Sequence, residues 1–306
     1  MSLRSFASKE EIRELVRLIT EDDGSGIEAP QNQTFLNVTT FILKNMWPES
    51  TSKMRFFGFP HDRPVYFFIV DENPKLFPFI VVRTPTSGHQ LALIREAVPL
   101  LLEEIQQTLN ETGHFLLDCE LAVRDEVLSL LCSGDRPAFS ADTDVHNVLT
   151  DHFFYMTKEQ QKAAMETKVS LPENFEFTQI DHSEETDKIH SIWTYASTTP
   201  TDISRQRIQN LPYTAVRDTF NGEIVAWELT QCLGMFMHLH CLPEYRERGL
   251  GTAVEKGLRV VKYVDQENTR VLNGTMRHSL WSVWKRDGVP IDWTFTVINK
   301  NEKSQE

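Results

Sequence analysis

Residues 235–264, MFMHLHCLPEYRERGLGTAVEKGLRVVKYV, constrain this chain more than any other stretch. Met235, Met237, Leu239 and Cys241 alternate with Phe236, His238 and His240. That run of apolar residues and histidines predicts a strand covered on both faces. Pro243 ends it. Arg246-Glu247-Arg248-Gly249-Leu250-Gly251-Thr252 then makes a short turn punctuated by two glycines. A helix follows, with Leu250, Ala253, Val254, Leu258 and Val261 along one face. The first N–H groups of that helix have no partner within it, and its dipole favours negative charge there. Gly249 and Gly251 let an anion approach the backbone with no Cβ in the way. The spacing lacks the Lys-Ser/Thr of a P-loop and the G-x-G-x-x-G of a dinucleotide site. A plain strand-to-helix turn is the competing reading.

At 306 residues the chain is long enough for two domains with a core in each. A net charge of −13 argues against non-specific binding to nucleic acid or to an anionic membrane surface. Cys119, Cys132, Cys232 and Cys241 form no C-x-x-C pair, which predicts buried thiols rather than disulfides or a zinc site. No run reaches transmembrane length. The first 20 residues have no signal-like apolar core and carry Glu10, Glu11 and Glu14. The expectation is a cytoplasmic protein. In that setting the Asn-x-Ser/Thr triplets at Asn32, Asn37, Asn110 and Asn273 are chance occurrences.

Along the chain, periodicity predicts helices over 8–20 and 34–46 and an antiparallel meander of strands over 54–59, 64–70 and 76–83. A long helix over 89–110 contains Pro99, which should kink it or mark its true start. A strand at 114–121, a helix at 124–132 and a strand at 145–156 complete the first half. The polar stretch 157–172 predicts a linker. Domains are therefore expected over 1–165 and 170–306. The second half reads as a strand at 175–181, helices at 184–196 and 201–210, strands at 213–217, 223–231 and 234–241, and the helix at 250–264. A strand at 269–272, a helix at 276–286 and a last strand at 291–298 follow.

Arg246-x-x-Gly249-x-Gly251, with its lead-in Pro243-Glu244-Tyr245, resembles the acyl-CoA pyrophosphate loop of the GNAT acetyltransferase superfamily. Arg207-Ile208-Gln209-Asn210-Leu211-Pro212, Val225-Ala226-Trp227, Gly234 and the same loop resemble its glycine N-acyltransferase-like branch over roughly residues 175–298. The fold implied is α/β (α+β), with a C-terminal GNAT domain. The N-terminal half, which has no such loop, would be a degenerate copy that shapes an acceptor cleft. The resemblance implies that acyl-CoA or acetyl-CoA is the co-substrate, with no metal. It would be held in a gap between strands 235–241 and 269–272 by Leu242, Arg246, Glu247, Arg248, Gly249, Leu250, Gly251 and Thr252. Backbone N–H groups from Arg248 to Thr252 would cradle the pyrophosphate, and one near Leu239 to Leu242 would face the thioester oxygen. The resemblance also adds the mitochondrion as a second compartment.

Two residues depart from that branch. Its general-base glutamate corresponds to Met235, and its proton-donating tyrosine corresponds to Trp284. A hairpin with Thr230 opposite Met235 would set Glu228 opposite Met237, diagonal to Met235 and about 7–8 Å from it. Glu228 is then the expected general base. His240 replaces it if a bulge inverts the facing of the strand's end. His238 and His240 also form a His-x-His, read first as structural histidines and otherwise as a relay or half of a metal pair. Trp281, Trp284 and Trp293 read as core, with an aromatic substrate wall as the alternative. Arg205 and Arg207 read as surface residues, or as partners of an acceptor carboxylate.

The expected function is transfer of an acyl group from acyl-CoA to the amine of a small molecule, an amino acid among the candidates. The alternatives are a non-catalytic CoA-binding sensor or scaffold and a protein or peptide N-acetyltransferase. The partners expected are the CoA thioester and the amine, with no nucleic acid and no membrane. The sequence sets no oligomeric state.

Overall fold

In a computed structural model, residues 1–21, 32–47, 52–73, 79–85, 88–112, 114–132, 145–155, 163, 166, 168–197, 199–264, 277–278 and 289–299 are described. The chain forms two compact units. Unit 1 comprises Met1–Phe35, Glu49–His152 and Ile291–Glu306; unit 2 comprises Leu36–Pro48 and Phe153–Pro290. One division between them falls at His152/Phe153, within the strand Val145–Tyr155. Two further segments, 36–48 and 291–306, belong to the unit opposite the one expected from their place in the chain.

Unit 1 begins with β1 (Arg4–Phe6) and α1 (Lys9–Glu21). Ser8 and Glu11 close a capping box on α1. The Ser8 N–H donates to the Glu11 carboxylate at 2.7 Å, and the Glu11 N–H donates to Ser8 Oγ at 3.2 Å. The meander is β2 (Met54–Phe59), β3 (Tyr66–Asp71) and β4 (Phe79–Arg83). Every residue of β3 and β4 is buried, as their apolar runs require, and the runs end in the buried Asp71 and Arg83. Helix α3 (Leu91–Thr112) runs through Pro99, which lies on its exposed side, where water can serve the carbonyl that proline leaves without a donor. Ile94, Val98, Leu101, Ile105 and Leu109 form its buried stripe. Strand β5 (His114–Glu120) lies parallel to β4, paired from Phe79↔Leu116 to Val82↔Cys119, and α4 (Leu121–Cys132) follows. The other edge of β5 is filled by the last strand of the chain, β12 (Val289–Asn299), in an antiparallel pairing from Trp293↔Glu120 to Asn299↔His114. The expected strand 291–298 is therefore present, but it completes the sheet of unit 1.

Unit 2 repeats that order of strand directions. Strands β7 (Phe175–Thr178), β8 (Tyr213–Asp218), β9 (Ile224–Thr230) and β10 (Phe236–Cys241) are antiparallel neighbours. β11 (Arg277–His278) lies parallel to β10, and Phe153 and Phe154 of β6 (Val145–Tyr155) pair antiparallel with β11. The parallel neighbour of β10 is thus described at 277–278, where the sequence predicts the start of a helix. The predicted strand 269–272 and the rest of that helix, with Trp281 and Trp284, lie outside the described residues.

Helices α5 (Glu184–Ile192) and α6 (Thr201–Asn210) pack on each other, and α7 (Leu250–Val264) packs on β8, β9 and β10. Gly257 brings α7 close to the sheet: a Cβ there would lie 2.9 Å from Thr214 Cγ2. Helix α2 (Gln33–Leu43) belongs to unit 2 from Leu36 on. Its Asn37 lies against Gly234, where an added Cβ would come within 2.4 Å of the Asn37 side chain. Asn32 and Asn37 are buried, in keeping with their reading as chance glycosylation triplets. The buried thiols expected are found at Cys119 and Cys232, whereas Cys241 is half-buried. Among the described residues no helix is long and apolar enough to cross a membrane.

Candidate functional site

The turn after β10 is suspended from one buried ring. Pro243–Tyr245 makes a single 3₁₀ turn, and Tyr245 enters the core, its hydroxyl accepting from Asn221 Nδ2 at 3.0 Å. The two arginines are anchored to the turn itself. Arg246 Nε donates to the Cys241 carbonyl at 3.1 Å, and Arg248 donates to the Glu244 carbonyl at 3.2 Å while lying over the Tyr245 ring. Glu247 and Gly249 take left-handed backbone conformations, φ 62° and 79°. Leu250, buried, starts α7. Cβ atoms built on Gly249 and Gly251 meet nothing within 4 Å. Arg246 to Thr252 thus make an open cradle at a helix N-terminus, with two glycines facing the open space and two guanidinium groups beside it. Such an arrangement suits a phosphate.

Among the described residues, strand β10 pairs with β11 at Phe236↔Arg277. Leu239 is among the exposed large apolar side chains. On the other side the ladder to β9 breaks. Met237 pairs with Leu229 and His240 with Trp227, which leaves His238 and Leu239 as a bulge, with His238 at φ 55°. The Leu242 N–H donates to the Val225 carbonyl at 2.9 Å, so it is already occupied.

The expected register is off by one. Thr230 pairs with Phe236, and not with Met235. The turn holds three residues, Cys232 to Gly234, closed by Gly234 N–H to Gln231 O at 2.8 Å and Gln231 N–H to Met235 O at 2.9 Å. Gly234, at φ 84°, is the extra residue in the left-handed conformation. On the β10 side Met237 therefore faces Leu229, and Glu228 lies opposite the bulge; on its other side Glu228 pairs with Thr214 of β8 and is fully buried on the face that α7 covers.

The opposite face carries the histidines. Trp227 stacks on His240, with centroids 4.9 Å apart and planes at 26°, and meets His238 edge-on at 5.8 Å. His238 in turn stacks on Trp193, which follows α5, and the Arg207 guanidinium of α6 lies over the same indole. His190 Nδ1 lies 2.8 Å from Ser204 Oγ behind them. Burial, together with His240, Arg207 and His190, holds the His238 pKa down at about 3. Burial and then Arg246 lower that of His240. Both rings are therefore neutral at pH 7. Arg205 and Arg207, equivalent in sequence, differ here. Arg205 pairs with Asp187 and Asp202 at the surface, whereas Arg207 is buried. The aromatic side chains of this face are Trp193, Tyr195 and Trp227. Sequence reading assigned none of them to a site, because only the fold brings them beside β10. Among the described residues no group of three His, Cys, Asp or Glu side chains stands together as a metal site.

No family model and no curated protein matches the sequence. Solved structures do. A Drosophila protein superposes with a TM-score of 0.67 over 97% of this chain and 98% of its own, at 15% identity. A tandem GNAT protein from the clavulanic acid biosynthesis pathway gives 0.57 over 99% of each chain at 10% identity. A GCN5-related N-acetyltransferase from Kribbella flavida gives 0.54 over 89% of this chain and 97% of its own at 12% identity. At such identities the likeness speaks for the fold, and the fold of this chain is that of the GCN5-related N-acetyltransferases, GNAT.

Proposed function

We propose that unit 2 binds an acyl-CoA and transfers its acyl group to the amine of a small molecule, with His240 as general base. The observation that carries the reading is the open cradle at Arg246–Thr252, at the N-terminus of the helix that follows β10. The residues fit a CoA diphosphate. The N–H groups of the first turn of α7 and the open faces of Gly249 and Gly251 would receive its oxygens, with Arg246 and Arg248 beside them. A thioester bound there supplies an electrophilic carbonyl. The chain's part is to orient that carbonyl by the bulge N–H groups at His238 and Leu239 and to take a proton from the incoming ammonium. His240 suits the second task because it is half-exposed, lies next to the cradle's Arg246 and is neutral at pH 7. Glu228, the first expectation from sequence, is buried under α7 on the other face.

Arg207 beside Trp193 supports an acceptor that carries a carboxylate, such as an amino acid. The equal order of strand directions in the two units supports the reading of unit 1 as a diverged copy of the same fold. The competing function is CoA binding without catalysis. It draws on buried Met235, which stands where the related acyltransferases carry their base. Release of free CoA across a panel of acyl-CoAs and amines separates the two. An acyltransferase gives amine-dependent thiol, whereas a binding protein gives only a rise in melting temperature.

A further inference from the structure

Among the described residues Trp227 is the largest fully buried side chain. Two imidazoles lie against its indole. The bulge at His238 and Leu239 moves the cross-strand partner of Trp227 to His240, and the two rings lie nearly parallel at 4.9 Å. His238 meets the same indole edge-on, with planes at 89°. His240 itself is only half-buried. A half-exposed imidazole on a strand samples several χ1 and χ2 wells, and each well that misses the substrate amine lowers the productive fraction. A buried indole has no such freedom, so the ring stacked on it inherits a fixed plane.

We propose that Trp227 is the positioning residue for His240, holding the imidazole in one orientation by stacking on it. The inference rests on His240 acting as the base. The groups around the pair are Arg246 from the turn and His238 from β10, with Arg207 of α6 and His190 of α5 behind His238. Both imidazoles have depressed pKa values. The ring that Trp227 holds is therefore the neutral form, able to accept a proton.

The test is a mutant cycle on the full chain. Trp227→Leu should lower kcat at least about tenfold with the KM for acyl-CoA unchanged, and Trp227→Phe, which keeps a flat ring, should recover most of the loss. In a His240→Gln background Trp227→Leu should cost nothing further, because its effect passes through His240. Additive losses, or wild-type kcat in Trp227→Leu, would overturn the inference. If His240→Gln alone turns over like the wild type, the base reading fails, and ring NMR decides the positioning separately. The His240 ring protons should give one sharp set in the wild type and Trp227→Phe and rotamer-averaged or broadened signals in Trp227→Leu. Equal line shapes in all three would overturn it. Should Trp227→Leu not fold, Trp227→Met replaces it, filling the space without a flat face.

Discussion

His240 and Glu228 show how much one residue of register decides. Both are polar residues in otherwise apolar strands, and the sequence marks both as candidates. Their facing was not legible, because it depends on a left-handed glycine in the turn and a bulge four residues later, neither of which alters the apolar pattern. One assay separates them. His240→Gln should lower kcat by about 10²–10⁴ with CoA affinity kept, while Glu228→Gln should leave kcat within a few-fold of wild type. The reverse result would return the base to Glu228. His238 makes a second prediction, on stability. Its folded pKa of about 3 lies below the ordinary histidine value of 6.5. Below pH 6.5 the unfolded chain takes up a proton that the folded chain refuses. Stability is therefore full above pH 6.5 and falls between pH 6.5 and 3, by about 2 kcal/mol at pH 5. His238→Asn, which tolerates the left-handed backbone and does not titrate, should flatten the change in melting temperature between pH 7 and pH 5. An equal slope in that variant would place the titration elsewhere.

At the scale of elements, the strand, turn and helix of 235–264 were legible because three local signals agree: apolar alternation, a proline stop and glycines before an amphipathic helix. β1 was not, because three residues carry no period. The open faces of Gly249 and Gly251 make the cradle testable. Gly251→Asp puts a carboxylate where nothing lies within 4 Å, so the helix should form unchanged while CoA affinity falls at least about tenfold. Calorimetry with CoA checks it, and retained affinity would remove the cradle from the site. Gly234 responds differently. Its φ of 84° and the Asn37 side chain 2.4 Å from a built Cβ leave no room for even a methyl group. Gly234→Ala should cost at least about 1 kcal/mol of stability, read as a lower denaturation midpoint. A midpoint equal to wild type would mean that α2 does not press on the turn.

At the scale of the molecule, each compact unit draws on separate parts of the chain. β6 spans the unit boundary at His152/Phe153 and pairs with β11, and β12 pairs with β5. No local pattern reports this exchange, since β6 and β12 are apolar enough to complete either sheet and the choice is made by pairing alone. Among the described residues unit 1 has no turn like Arg246–Thr252, and its parallel strands β4 and β5 pair over four residues. The CoA site proposed above accordingly draws on unit 2. Residues 170–306 alone would lack β6 beside β11 and α2 over the 231–234 turn, and would carry β12 without β5. Exposed strand edges of that kind favour aggregation over a cooperative fold. The fragment should show no cooperative melt and no CoA-dependent rise in melting temperature. Co-expression of 1–165 with 170–306 should restore both, because the missing strand and helix return on the other piece. A fragment 170–306 that melts cooperatively and is stabilised by CoA on its own would show that unit 2 needs neither.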